Sequence, residues 1–248
     1  MSSSSMQAST KYAIKRWLRR AGIEVSKYAR FRQFDERLIA LMEAQRAGLV
    51  LDVGANTGQY AQILRALGFR GRIVSFEPLE APHRELAENA RHDRLWEVAP
   101  RCALGERSGV LRIQVSRNSL SSSALEILPA HLEAEPESAV VGATEVDMQT
   151  LDAAAGPFVR QDDRIFLKVD VQGMEEKVLA GAQQVLGRTV GLQVELSLTP
   201  LYATQPLLCD MVATLRRRGF ALVDLEPEFV DPRSGRVLQA NGLFLRAG

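Results

Sequence analysis

The chain has 248 residues, 46% of them hydrophobic and 25% charged, with a formal net charge of +1. Such a length suits one large domain, such a composition excludes global disorder, and such a charge gives no overall electrostatic reason to expect a nucleic-acid partner. No apolar run reaches the roughly 20 residues of a membrane span, the opening ten residues hold no apolar signal core, and the two cysteines, Cys102 and Cys209, suit a reducing, cytoplasmic setting.

Residues 1–10 read as a flexible tail and residues 11–48 as a helical extension. In the latter, Ile14, Trp17 and Leu18 form a stripe among Lys11, Lys15, Arg16, Arg19 and Arg20, up to Gly22. That helix either packs on the domain or docks on an anionic surface. Phe31, Phe34, Leu38, Leu41 and Met42 then repeat at helical spacing. From 49 to 248 the pattern is that of one α/β domain. Leu49–Val53 is a nearly continuous apolar run, as in a buried parallel strand. A glycine turn follows, then a helix with Tyr60, Ile63, Leu64 and Leu67 on one face. Arg72–Glu77 is a second strand closed by Pro78, residues 81–91 a helix, and Trp96–Ala103 a third strand. This alternation marks a doubly wound sheet.

Residues 109–115 read as an added strand. Residues 116–143, rich in Ser and Glu with Pro129 and Pro136, read as an insertion or lid with a short helix near Leu125–Leu128. Strand character returns at Thr144–Met148 and again at Ile165–Asp170. A helix over 174–186, a strand at Val190–Leu196 and an amphipathic helix through Leu207 and Leu215 come next, with Cys209 at a core position and Gly219 as the stop. Phe220–Leu225 and Leu238–Leu245 pair as a terminal antiparallel hairpin at one sheet edge.

The turn Gly54-Ala55-Asn56-Thr57-Gly58 joins a strand to a helix. Glycine permits positive φ and close ligand approach, and the helix start offers free N–H groups, with Thr57 as N-cap. The middle glycine of a dinucleotide fingerprint is missing, which weakens a nicotinamide oxidoreductase, and Gln59-Tyr60 replaces the Lys-Ser/Thr of a P-loop. Without a ligand, the glycines would only shape a tight turn. Glu77 ends the second strand, where an acid accepts hydrogen bonds from both ribose hydroxyls of an adenosine.

DVGANTGQY, SFEP, Ala103-Leu104-Gly105 with Gly109, VDMQTLD and FLKVDVQGMEEKVLAGA, in this order over residues 49–200, resemble the FkbM family of S-adenosylmethionine-dependent methyltransferases. The resemblance implies a Rossmann-like class I methyltransferase fold with a mostly parallel seven-stranded sheet. It implies O-methylation of a sugar, glycan, glycolipid or polyketide-type hydroxyl. Asp52, Gly54, Asn56, Thr57 and Gly58 would shape the methionine end of the cofactor site, Glu77 and Pro78 the ribose end, and Cys102 and Ala103 the adenine end. Asn118–Ser123, including Ser122, matches a serine loop facing the active site, and Asp170 would lie beside the sulfonium and the acceptor. Gln172 and Met174 depart from the family's usual Glu and small residue.

Lys168 and Asp170 stand two apart on a strand and point to one face. Asp170 is the first candidate to orient or deprotonate the acceptor. Lys168 is either an alternative base or a structural ion-pair partner. Glu195, inside an apolar strand, is costly to bury unpaired. It either holds a substrate hydroxyl or joins Asp170 in a Mg²⁺ site with waters. His131 reads as an exposed loop histidine, or as a base that swings over the site, and no His/Cys cluster has zinc spacing. A methyltransferase-like partner subunit without catalysis is the competing reading. The Asn/Asp-Pro-Pro-aromatic motif used on flipped bases is missing.

Overall fold

The computed structural model describes residues 33–247; the tail at 1–10 and the helix expected over 11–21 lie outside the described residues. Helix α1 (Phe34–Ala44) leads into strand β1 (Leu49–Val53), helix α2 (Gln59–Ala66), strand β2 (Arg72–Phe76), helix α3 (Glu80–Ala90) and strand β3 (Trp96–Val98). Strands β4 (Ala103–Gly105) and β5 (Gly109–Ser116), helix α4 (Pro129–Ala134) and the long strand β6 (Val140–Thr150) follow. Helix α5 (Leu151–Ala155), strand β7 (Ile165–Val169), the short helices α6 (Glu175–Ala180) and α7 (Gln183–Arg188), and strand β8 (Thr189–Ser197) continue the chain. Helix α8 (Leu208–Arg217) and strands β9 (Phe220–Val230) and β10 (Val237–Arg246) end it.

Seven strands form one sheet in the order β3-β2-β1-β7-β8-β10-β9. From β3 to β8 all pairings are parallel, and β10 runs antiparallel to both β8 and β9. The chain therefore reverses direction along the sheet between β1 and β7, the switch point where ligands of open α/β sheets sit. Both faces of β1 are covered, so it is apolar at every position but Asp52. Leu49, Leu51 and Val53 pack on α5–α8 through Leu151, Val178, Leu179, Val185 and Met211. Val50 faces the other layer, α1–α3, with Leu38, Met42, Leu64 and Leu86. Each fully buried leucine of this kind contributes about 1.5–3 kcal/mol.

Several boundaries differ from the sequence expectation. The third strand stops at Val98, and Ala103–Gly105 belongs to a second, three-stranded sheet, β4-β6-β5, packed through Leu79, Ile113, Val146 and Met148. The break falls at Pro100, which has no N–H for a ladder. The helix of the insertion lies at Pro129–Ala134 rather than 125–128, with Pro at its first turn. The 174–186 helix is two helices meeting at Gly181, where a Cβ would lie 2.1 Å from the Gly105 carbonyl. Cys209 is exposed, not core. No helix among the described residues is long and apolar enough to cross a membrane.

Candidate active site

The glycine turn leaves β1 at the carboxyl end of the sheet. Gly54 has φ +77, and a Cβ there would lie 1.7 Å from the carbonyl oxygen of Asp170. The Gly54 and Ala55 N–H groups donate to Phe76 O at 3.1 and 3.0 Å, tying the turn to β2. Gly58, not Thr57, occupies the cap position of α2, at φ +93. Its missing Cβ makes room for the Trp96 ring, which would be 2.6 Å away. Thr57 instead borders a shallow groove with Pro82, Arg84 and Glu88.

Beyond the turn lies a cleft with about 750 Å³ of free space counted to its mouth, within the range of ligand pockets. It brings together Gly54, Asn56, Glu77, Pro78, Cys102, Ala103, Ser122 and Asp170. The second sheet supplies its apolar wall through Leu111 and Ile113. Asp52, Thr57 and Gly58 do not reach it: Asp52 lies buried beneath, and both other residues face elsewhere. Glu77 is buried and accepts the Asn56 N–H at 2.9 Å and the Leu79 N–H at 2.8 Å. A carboxylate has about four acceptor sites, so capacity remains for a ligand. Burial pushes the Glu77 carboxyl up to about 7, against the two backbone hydrogen bonds.

Lys168 connects the buried layer to the cleft. Its ammonium donates to Gly54 O at 2.9 Å and lies 3.4 Å from both Asp52 Oδ1 and Asp170 Oδ2. Asp52 Oδ2 accepts Ser75 Oγ at 3.1 Å, whereas Oδ1 has the lysine charge alone, without hydrogen-bond geometry. Burial pulls the Lys168 ammonium down, but the charges of Asp170, Asp52 and Glu228 outweigh it and raise its pKa. An ammonium held this firmly is a counter-ion, not a base.

Gln172, at φ 55, turns its amide between two acids. Nε2 donates to Asp170 Oδ1 at 2.7 Å and to Glu195 Oε2 at 3.1 Å, while Tyr202 Oη donates to Oε1 at 2.6 Å. The tyrosine fixes which end of the amide faces the carboxylates. A Mg²⁺ ion needs oxygen ligands, and an N–H₂ donor points into the space between these two acids. The residues do not fit the magnesium site expected for Asp170 and Glu195. Among the described residues no group of three or more His, Cys, Asp or Glu side chains is placed to hold a metal.

Two further cavities meet the cleft at Asp170 and Leu120, which border all three. One runs toward α1 past Tyr60, Gln193 and Asn241; the other is walled by His131, Glu195 and Phe229. His131 is not an exposed loop residue: it is buried against Tyr202 and Phe229, with ring centroids 5.1 and 5.3 Å away. Gln172 and Tyr202 were not legible as site residues, whereas Leu120 lies within the Asn118–Ser123 loop expected to face the site. Gln172 adjoins Asp170 in sequence, which is a signal of a kind. Tyr202 lies in a loop after β8 and carries none.

Three solved structures are similar in layout. They are an rRNA methylase from Streptococcus thermophilus (9% identity, 90% of this chain and 100% of that chain, TM-score 0.46), Aeropyrum pernix fibrillarin in complex with natively bound S-adenosyl-L-methionine (13%, 84% and 74%, 0.46), and a TehB-like SAM-dependent methyltransferase from Corynebacterium glutamicum (15%, 97% and 99%, 0.42). At scores below 0.5 they add nothing to an assignment. No curated protein matches the chain in sequence. The profile of the methyltransferase FkbM domain matches residues 52–222, a span holding the glycine turn, Glu77, the serine loop, Asp170 and Glu195, and the chain belongs to this family of S-adenosylmethionine-dependent methyltransferases.

Proposed function

We propose that the protein transfers the methyl group to a hydroxyl of a small molecule or sugar, with Asp170 as the residue that orients the hydroxyl and takes its proton. The observation that carries this reading is the position of Asp170, at the common border of the cleft and both side cavities. Gly54 and Asn56 flank the methionine end of the cofactor, Glu77 takes the ribose hydroxyls, and Cys102, Ala103 and Ile113 cover the adenine. When bound, S-adenosylmethionine supplies a methyl carbon made electrophilic by its sulfonium. Asp170 would orient the acceptor hydroxyl toward that carbon and take the proton the hydroxyl gives up on transfer. Lys168 keeps the Asp170 carboxylate in place. Gln172 fixes the other oxygen and separates it from Glu195. A binding subunit without catalysis has no use for a carboxylate set this way.

Calorimetry with S-adenosylhomocysteine tests the cofactor half of the reading. Ribose hydroxyls donate to an ionised carboxylate, so binding favours the charged form of Glu77. With a free-state pKa of about 7, affinity rises about tenfold from pH 6 to pH 8, with proton release near neutrality. Glu77→Gln flattens that dependence. For stability of the free protein the sign is opposite. A carboxyl raised from 4.5 to about 7 on folding binds its proton better in the native state. Its contribution is therefore present at low pH and lost as pH rises through 7. An unchanged pH profile in Glu77→Gln would remove the ribose assignment.

Chelation gives a second expected result. Because the Gln172 amide stands between the two acids, exhaustive EDTA treatment leaves the methylation rate unchanged, and added Mg²⁺ does not increase it. Loss of activity on chelation, restored by Mg²⁺, would contradict that geometry.

A further inference from the structure

The cavity beyond Asp170, on the side away from the cofactor cleft, is not used by anything described so far. It has about 660 Å³ of free space and is walled by the serine loop, α4 and the β9–β10 hairpin. We propose that it binds the methyl acceptor by a protonated amine that the acceptor carries near its reacting hydroxyl. This rests on the reading of Asp170 as the residue facing that hydroxyl.

Charge is the first observation. Every ionisable side chain lining the cavity besides His131 is a carboxylate: Glu135, Asp170, Glu195 and Glu228. No Lys or Arg is among the lining residues. Lys168 is engaged with Asp52, Asp170 and the turn carbonyls from the other side. The side-chain hydrogen-bond donors to Glu195 and Glu228 are neutral amides, Gln172 and Asn241, and Lys168 acts on Glu228 only through its charge. Burial and the neighbouring charges of Asp170, Glu175 and Glu228 push the Glu195 carboxyl well up, as expected of an acid lacking a cation. A protonated amine would stabilise the ionised form of these acids, whereas a neutral polyol would leave them more protonated and an anionic acceptor would oppose their ionisation.

His131 is the second, independent observation. It is only 3% exposed, lines the cavity, and its Nδ1 is buried without a hydrogen-bond partner. Leaving a buried polar nitrogen unpaired is costly, so the protein keeps it for a reason other than packing. Burial lowers the imidazole pKa to about 4, so the ring is neutral at physiological pH. A neutral ring nitrogen accepts a hydrogen bond, and the ring adds no charge to repel an ammonium. The Phe229 ring, which also lines the cavity beside the carboxylates, is a surface suited to cations.

The test uses one scaffold carrying different charges. Glucosamine, glucose and glucuronate are titrated into the full-length protein saturated with S-adenosylhomocysteine, and binding is read by saturation-transfer NMR. Glucosamine is expected to bind about tenfold more tightly than glucose, and glucuronate more weakly than either. Glu195→Gln removes most of the preference for the amine, while His131→Phe weakens glucosamine more than it weakens S-adenosylhomocysteine. Retained affinity for the latter shows that both variants are folded. Equal binding of glucose and glucosamine, tighter binding of glucuronate, or no glucosamine binding to the loaded protein overturns the amine assignment. Failure to take up S-adenosylhomocysteine at all would instead strike the underlying reading of the cleft.

Discussion

Asp170→Asn is expected to slow methyl transfer by about 10²–10⁴-fold at saturating cofactor, the usual contribution of a positioned base. The amide keeps the size of the side chain, but it cannot take a proton, and its NH2 replaces one of the two oxygens that face Lys168 and Gln172. Affinity for S-adenosylhomocysteine should change far less than the rate, because on the proposed reading Glu77 would hold the ribose apart from the Asp170 carboxylate. Label transfer from methyl-labelled cofactor to a hydroxylated acceptor measures the first quantity and calorimetry the second. If transfer stays within a few-fold of wild type, Asp170 only lines the site and the proton leaves by another path. Lys168 does not provide that path, since its ammonium is held between Asp52 and Asp170, 3.4 Å from each.

Gly54→Ala is expected to be the most damaging single added methyl group at a glycine among the described residues. Two costs combine at this position. A non-glycine residue at φ +77 pays roughly 1–2 kcal/mol of backbone strain. The added Cβ would also sit 1.7 Å from Asp170 O, a backbone atom that cannot swing aside. Relieving that overlap must separate β1 from the end of β7 and so open the cofactor turn. A total loss of about 3 kcal/mol lowers Tm by roughly 6–12 °C in a domain of this size, with loss of cofactor uptake. Gly68→Ala supplies the comparison. Its φ of +95 carries the same strain, but nothing lies within 4 Å of the new carbon. That variant should lose only the strain component and keep its affinity for S-adenosylhomocysteine. Equal effects of the two substitutions would show that strain, not the clash with Asp170, governs the turn.

The sequence by itself determined the frame. Leu49–Val53 and Ile165–Val169 are apolar at every position or nearly so, because strands covered on both faces leave no polar side, and they flank the switch point as expected. Gly54, Glu77 and Asp170 stand at strand ends, and strand ends are where such a sheet binds ligands, so these three were readable from spacing alone. The family resemblance and the class of chemistry rested on the same short motifs.

What only the tertiary structure decided were contacts between residues far apart in the chain. Gly58 looked like part of the ligand turn, yet its lack of a Cβ serves Trp96, which arrives from β3. Asp52 looked like a cofactor contact, yet alternation along β1 turns it under the sheet, where it holds Lys168. His131 sits on a polar, proline-containing insertion that reads as exposed, and it is buried because the β9–β10 hairpin brings Phe229 over it. The expected metal pair failed for the same reason. Whether a cation or an amide stands between Asp170 and Glu195 depends on the direction of the Gln172 side chain. That direction is set by Tyr202, 30 residues later in a loop with no periodic pattern to read.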